Sequence, residues 1–412
     1  MTSLRHDGWR GPDGEVALMS RRFRSRPAAA VAGFAAAAVM AASMPSSQAV
    51  ANADAQAADR PHYPRLQQAM EALVDRPGGP PGAVVIVHRG NDRRVLTAGV
   101  ADVGTGREIR VDDHMRIASV SKAFSGAVAL TLVDRGRLSL RDRIGERLPY
   151  LPDAWADVTL AQLLRHTSGL PDFTKNKAFQ GAVIANPTVS MPPRRLLSFV
   201  EHEDLKFEPG SRFKYSNSDN VAVGLMVQAV TGQPYAQVMK RLVSKPLQLG
   251  RTTLPTGAQM PRPYIHGYEM APGQPPEDIS EIVAAGLAYA SGGVVSTPAD
   301  LDRFIRGYVG ARLFDRSLQD KQLRLVKGHS EPPGPGLNKA GMAIFRYQTR
   351  CGTVYGHTGN TFGYTAFAAA THDGHRSVTV TITRQLVPKD DLDMFTAYRQ
   401  LQVLAVCAAL RH

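Results

Sequence analysis

Apolar positions first recur at helical spacing in Leu66, Met70, Leu73 and Val74, which predicts an amphipathic helix beginning near Pro61. The Gly/Pro cluster Gly78-Gly79-Pro80-Pro81-Gly82 ends it. A strand-like run over residues 83–88, apolar through Val87, follows, then a second strand-like run over 94–100, and the two predict a β-hairpin. After Ser119 the period turns helical, and helix-like segments with Gly/Pro breaks continue to about residue 250. Thr297, Pro298 and Asp300 supply the N-cap, first-turn proline and capping acid of a further helix. Strand patterning returns over 342–347, 353–357, 364–369 and 377–382, and a helix over 392–410 closes the chain. The Pro-rich stretch 255–276 reads as a long surface loop, and no repeat of 20–50 residues is visible. β-rich ends around a helical middle predict an α+β fold. An antiparallel sheet flanked by helices is built from both chain ends (about 60–118 and 285–412), with a mostly helical lobe inserted at about 119–284.

Residues 1–55 have the layout of an export signal, leaving 56–412 as the working domain. The basic run Arg21-Arg22-Phe23-Arg24-Ser25-Arg26 precedes an Ala-rich apolar stretch over 27–43. Small-residue cleavage patterns such as Ala49-Val50-Ala51 and Ala51-Asn52-Ala53 follow, and Met19 is an alternative start. Dominance by Ala makes the stretch too weakly apolar for a stable membrane span, so secretion with cleavage is expected. Phe23 follows the paired arginines directly, which leaves the export route open. In an oxidising compartment the two cysteines, Cys351 and Cys407, are expected to pair, with unpaired core thiols as the alternative. Closing a loop of about 55 residues would stabilise the fold by about 4 kcal/mol.

With 412 residues, 43% apolar and 21% charged, the chain is globular, and disordered, collagenous and coiled-coil classes fall away. Lys plus Arg number 49 against 36 acids, giving +13, and 38 of the 49 are Arg. Residues 1–55 carry six Arg and four acids, so the remainder still holds +11. No dense Lys/Arg run is interleaved with aromatics, so nucleic-acid binding is not expected. For an exported protein the fitting polyanion is an anionic cell-wall polymer, unless the excess only reflects Arg-rich composition. Two cysteines cannot build a cysteine zinc site, no His-Glu-x-x-His occurs, and no metal or cofactor is expected.

Ser119-Val120-Ser121-Lys122 is a Ser-x-x-Lys, an arrangement in which a lysine can activate a serine nucleophile without a catalytic histidine. At a helix start the three-residue spacing puts amine and hydroxyl on one face, and burial would lower the amine's pKa into the range of a general base. The motif alone is weak, because Ser211-Arg212-Phe213-Lys214 matches it too. Tyr215-Ser216-Asn217 follows, offering a phenol that can relay a proton and an amide that can hold a carbonyl. Ser218-Asp219-Asn220 is a competing Ser-Asp-Asn element, and the two cannot fill the same role. The third element, His357-Thr358-Gly359, sets a cationic or hydrogen-bonding side chain on a strand, with Gly359 leaving room for a substrate backbone. Gly328-His329-Ser330-Glu331-Pro332 misses a nucleophile elbow by its last residue.

Taken together, these motifs resemble the serine β-lactamase and penicillin-binding superfamily, on the branch shared by class C β-lactamases and secreted D-alanyl-D-alanine carboxypeptidases. The resemblance extends over about 64–408. It includes Leu163-Leu164-Arg165-His166-Thr167-Ser168-Gly169-Leu170 as a turn in the helical lobe and Ser291-Gly292-Gly293-Val294-Val295-Ser296-Thr297 as a Gly-rich strand. Cys351 and Cys407 look like the paired cysteines of the secreted carboxypeptidases. The resemblance implies a β-lactamase/transpeptidase-like fold in which Ser119 forms an acyl-enzyme with an acyl-D-Ala-D-Ala peptide of peptidoglycan. Lys122 and Tyr215 would move its proton, Asn217 would bind the substrate amide, and His357 and Thr358 would hold the substrate carboxylate. Backbone amides of Ser119 and Asn360 would form an oxyanion hole worth about 3 kcal/mol per donor. β-Lactams would act as acylating inhibitors.

Two departures bear on activity. β-Lactamases mostly have Lys where this chain has His357, which favours a peptidase or esterase. Carboxypeptidases of the branch also clamp the substrate carboxylate with an arginine on the preceding strand. Here that place falls near Phe345, with Arg346 beside it and Arg350 beyond, and a one-residue offset points a strand side chain to the other face. Arg346 is the candidate clamp. A D-amino-acid amidase, an esterase or β-lactamase of the same fold, and a catalytically silent wall-binding protein are the alternatives.

Overall fold

The computed structural model describes residues 63–410, so the expected export segment, its cleavage patterns and Met19 lie outside the described residues. From Arg65 onward the chain forms one compact unit. Helix α1 (Pro64–Val74) buries Leu66, Met70 and Leu73, three of the positions that predicted it. Strands β1 (Gly82–Arg89) and β2 (Asp92–Gly99) form the N-terminal hairpin. Beyond them lie the helices α2 (Ser121–Asp134), α3 (Asn217–Thr231) and α4 (Pro298–Val309). Strands β3 (Leu337–Ala340), β4 (Phe345–Thr349), β5 (Gly352–Thr361), β6 (Tyr364–Ala370) and β7 (Arg376–Ile382) and helix α5 (Leu392–Leu410) complete the chain.

Both chain ends meet in one seven-stranded sheet of order β2-β1-β7-β6-β5-β4-β3, antiparallel throughout. β1 joins β7 with Val85 opposite Val380, closing the sheet between segments almost 300 residues apart. The fold is the expected α+β arrangement, an antiparallel sheet flanked by helices. β6 is buried along its whole length and its largely apolar run does not alternate, as helices covering a sheet require, while β7 is buried along nearly all of its length although Ser377, Thr379 and Thr381 alternate with Val378, Val380 and Ile382. β2, on the edge, is mostly exposed and begins with Asp92, Arg93 and Arg94, charges that discourage pairing with another chain.

The run expected as a strand over 342–347 is only half strand. Met342, Ala343 and Ile344 make the β3–β4 turn, in which Gly341 N donates to Ile344 O at 2.8 Å and Ala343 adopts a φ of +51°. The turn is apolar because it is buried: Ala343 N donates to Leu164 O in the helical region. At α4, Thr297 Oγ1 accepts from Asp300 N at 3.1 Å, as its sequence predicts. The Asp300 carboxylate turns instead to Arg251 N and Thr252 Oγ1. Helix α2 is buried from Ser121 to Leu132, with no polar face because it runs through the core. Phe124 stacks on Phe304 of α4 at 3.6 Å, and burying such a side chain contributes about 2–3 kcal/mol. Cys351, before β5, is bridged to Cys407 on α5. Among the described residues, no helix is long and apolar enough to cross a membrane.

Candidate active site

The two-residue strand Met115–Arg116, paired with Val295–Ser296, leads into a 3-10 turn over Ala118–Val120 and then α2. Ala118 is held at a φ of +49°, a left-handed conformation costly for a residue with a Cβ, immediately before Ser119. Ser119 is half-buried, whereas Lys122, one turn on, is wholly buried. Lys122 Nζ lies 3.1 Å from Ser119 Oγ, 2.7 Å from Asn217 Oδ1 and 2.8 Å from the Ser291 carbonyl oxygen. An ammonium donates to all three. A neutral amine donates to Asn217 and Ser291 and turns its lone pair to the Ser119 hydroxyl. Burial brings the amine down to about 7, with Asp172, Glu331 and Asp219 opposing that fall, so both forms coexist near neutrality.

Tyr215 precedes α3. Its ring lies 4.8 Å from Lys122 Nζ and 4.5 Å from the His166 ring, and its buried hydroxyl has no hydrogen-bond partner among the described residues. Burial pushes the phenol well above its usual value. It is therefore a proton donor at neutral pH rather than a phenolate.

His357, on β5, is wholly buried with its ring 5.0 Å from Phe345 and 6.4 Å from Tyr215. Burial and the nearby Lys122 bring it down to about 3, so of the two forms expected, cationic or hydrogen-bonding, the imidazole is held in the neutral, hydrogen-bonding one. Nδ1 lies 2.5 Å from the Thr358 carbonyl oxygen and so carries the proton, leaving Nε2 a buried, unpartnered acceptor. Thr358 Oγ1 donates to Pro332 O at 2.7 Å, tying β5 to the loop that carries Glu331. The open side of Gly359 faces the nucleophile turn. A Cβ there would stand 2.3 Å from Ile117 O, so the room expected for a substrate backbone is taken at that point by residues 117 and 118. The Asn360 side chain is committed elsewhere, donating to Leu386 O and accepting from Leu386 N and Thr365 Oγ1, which leaves only its backbone amide for a substrate.

Arg346 lies beside Lys339 and Tyr355 in the sheet register, and its Nε is buried without a partner. Among the described residues no hydrogen bond joins it to Ser119, Lys122, Tyr215 or His357, and it is Phe345 whose ring meets His357. The second Ser-x-x-Lys stays out of the site: Ser211 and Lys214 are exposed, and Ser211 Oγ donates to Glu208 O. Ser218-Asp219-Asn220 is inside the helical core, with Ser218 Oγ on Pro171 O and Asn220 Nδ2 on Ser125 Oγ.

Asp172 was not singled out in the sequence, and Ser291 and His166, though inside quoted motifs, were given no role of their own. Ser291 acts through its carbonyl, which no side-chain pattern marks; the Gly-rich segment expected as a strand is a helical turn there, with only Val295–Ser296 extended. Asp172 receives Asn217 Nδ2 at 3.1 Å. His166 Nδ1 lies 2.7 Å from Asp219 Oδ2 beneath the Tyr215 ring, and burial pushes each of that pair toward its neutral form.

The Beta-lactamase family profile matches residues 65–402. The chain belongs to the Beta-lactamase family. This is a family of serine hydrolases, and the matched span contains every residue of the cluster around Lys122. Among curated proteins the chain is 28% identical over 259 residues to D-alanyl-D-alanine-carboxypeptidase/endopeptidase AmpH of Escherichia coli (strain K12), covering 60% of this chain and 62% of AmpH. The chain thus spans less than two-thirds of that relative. Of solved Beta-lactamase-fold structures, a D-stereospecific amidohydrolase from Streptomyces sp. is 30% identical with a TM-score of 0.70, covering 79% of this chain and 95% of the other. D-amino acid amidase from Ochrobactrum anthropi SV3, complexed with D-phenylalanine, is 22% identical with a TM-score of 0.71, over 83% of this chain and 98% of its own, and shares the fold.

Proposed function

We propose that this protein is a serine D-alanyl-D-alanine carboxypeptidase that cleaves peptidoglycan stem peptides through a Ser119 acyl-enzyme and is acylated by β-lactams. The observation that carries the reading is a wholly buried Lys122, near neutrality in pKa, 3.1 Å from a half-buried serine hydroxyl. Ser119 Oγ attacks the scissile carbonyl carbon while its proton passes to the neutral Lys122 amine. The tetrahedral intermediate collapses with loss of the D-alanine amine, which takes its proton from Tyr215; the phenol is restored from Lys122. Water then attacks the ester, giving its proton to the same pair, which returns it to Ser119 Oγ as the acyl group leaves as a carboxylic acid. The unpartnered Tyr215 hydroxyl and His357 Nε2 are the buried polar atoms a bound substrate would satisfy.

A second reading, an amidohydrolase of D-amino-acid amides or esters that needs no free carboxylate, is favoured by the position of Phe345 against His357 where a carboxylate-clamping arginine was expected. One experiment separates the two. Labelled penicillin should attach at Ser119 and fail to attach to Ser119→Ala, and an acyl-D-Ala-D-Ala free acid should release D-alanine faster than its methyl ester or amide. Arg346→Ala should penalise the free acid alone. Equal turnover of acid, ester and amide, unaffected by Arg346→Ala, would replace the carboxypeptidase with the amidohydrolase; absence of labelling and turnover would remove both.

Location belongs to the same reading. Residues 1–55 act as a cleaved export signal, and the +11 of the remainder holds the enzyme on an anionic wall polymer. The mature N-terminus read by mass spectrometry from culture medium tests the first. Release from cell walls by moderate salt tests the second, and retention insensitive to salt counts against it.

A further inference from the structure

Asn217 has both hydrogens of its amide nitrogen engaged and its oxygen on Lys122. Its oxygen takes Lys122 Nζ at 2.7 Å, and its nitrogen donates to Asp172 Oδ2 at 3.1 Å and Oδ1 at 3.3 Å and to Thr174 Oγ1 at 3.2 Å. An amide nitrogen has two hydrogens, and carboxylate and hydroxyl together occupy both. Turning the amide over would set its oxygen against the carboxylate and its NH2 against the lysine amine, exchanging two attractions for two repulsions. Asp172 is itself held, because its Oδ1 accepts from Thr174 N at 3.1 Å and Thr174 Oγ1 at 2.8 Å. That turn is tied to the start of α3, where Phe173 N donates to Ser218 Oγ and Ser218 Oγ donates to Pro171 O. Asp172, Thr174 and Asn217 thus form a closed ring whose one outward bond ends on Lys122.

We propose that Asp172 is a positioning residue that, with Thr174, fixes the Asn217 carboxamide with its oxygen on Lys122, so that Asn217 serves the base rather than the substrate carbonyl. The proposal rests on the reading of Lys122 as the base for Ser119. Asp172 is also the largest of the influences that hold the buried amine up against desolvation. The other ionisable groups around the amine are Asp219, Glu331, Tyr215, His166 and His357.

Asp172→Asn removes the charge and keeps a residue able to cap the following turn. The Lys122 signal of full-length protein labelled at lysine 13Cε, assigned by its loss in Lys122→Arg, is titrated by NMR in the wild type, Asp172→Asn, Asn217→Ala and the double variant. Ser119 acylation by labelled penicillin is timed in the same set. Asp172→Asn should lower the lysine midpoint and slow acylation about tenfold, the equivalent of one charge-assisted hydrogen bond. The double variant should acylate no more slowly than Asn217→Ala, because the route through Asn217 is already lost. An unchanged midpoint in Asp172→Asn, or multiplicative losses in the double variant, would overturn the proposal. If the wild type is not acylated at all, the hydrolase reading fails, while the lysine titration still decides the role of Asp172. Should Asp172→Asn unfold, Thr174→Val removes only the hydroxyl and must show the same non-additive loss with Asn217→Ala.

Discussion

Lys122 Nζ stands 3.1 Å from Ser119 Oγ, and the two differ sharply in surroundings: the serine meets solvent while the lysine is sealed from it. A nucleophile must be reached and its base must be desolvated, and one turn of 3-10 helix followed by a buried α-helix supplies both conditions between Ser119 and Lys122.

Acylation should therefore rise with pH through about 7, because only the neutral amine can take the serine proton. No descending limb from Tyr215 should appear below pH 9, since burial raises that phenol well above 10. Lys122→Arg, which stays cationic, should lose about 10²–10⁴-fold in acylation rate. Stopped-flow acylation between pH 5.5 and 9 measures this, and a flat profile would remove Lys122 as the base.

Gly359→Ala should separate acylation from stability of the rest of the sheet. The added methyl meets the Ile117 backbone oxygen at 2.3 Å, so β5 and the nucleophile turn must part. A displacement approaching 1 Å costs about 10²-fold in rate. Far-UV circular dichroism should stay native while acylation falls; wild-type acylation would show that the two segments tolerate separation.

Stability should decline on acidification partly through His357. Its folded value of about 3 lies below the 6.5 of the unfolded chain, so the unfolded state binds the extra proton and stability is lost as pH falls from 6.5 toward 3. At pH 5 this loss amounts to about 2 kcal/mol. Urea unfolding of wild type and His357→Gln at pH 7 and pH 5 isolates it: the variant should lose about 2 kcal/mol less between the two. Equal losses would place a titrating imidazole at that site.

Removing the Cys351–Cys407 bridge with a double Cys→Ala change frees a loop whose ends lie 56 residues apart. In the chain-entropy treatment this costs about 4 kcal/mol. Guanidinium unfolding should show the loss, while acylation of the folded fraction stays near that of wild type. An unchanged unfolding midpoint would mean the bridge contributes nothing to stability.

Most of the sheet was legible because strand patterning is local. The apolar run of β6 and the strict alternation of Val378, Val380 and Ile382 with Ser377, Thr379 and Thr381 in β7 can be read without knowing their partners. Where the reading slipped, at Met342 to Ile344, the residues are apolar for a different reason: their turn is buried against Leu164. The Ser-x-x-Lys spacing was legible for the same local reason, since residues three positions apart at a helix start share a face.

The helix and strand periods, the two Ser-x-x-Lys candidates, and the Tyr-x-Asn and His-Thr-Gly elements all depend on residues a few positions apart and are written along the chain. The tertiary structure adds the physical difference between the Ser119 and Ser211 motifs, because burial of Lys122 and exposure of Lys214 follow from packing against segments such as Asn217 and Ser291. It likewise decided that His357 is neutral, that Phe345 rather than Arg346 meets it, and that Asp172 holds Asn217 from 45 residues away. Desolvation and long-range contact depend on the whole fold, and no spacing along the chain encodes them.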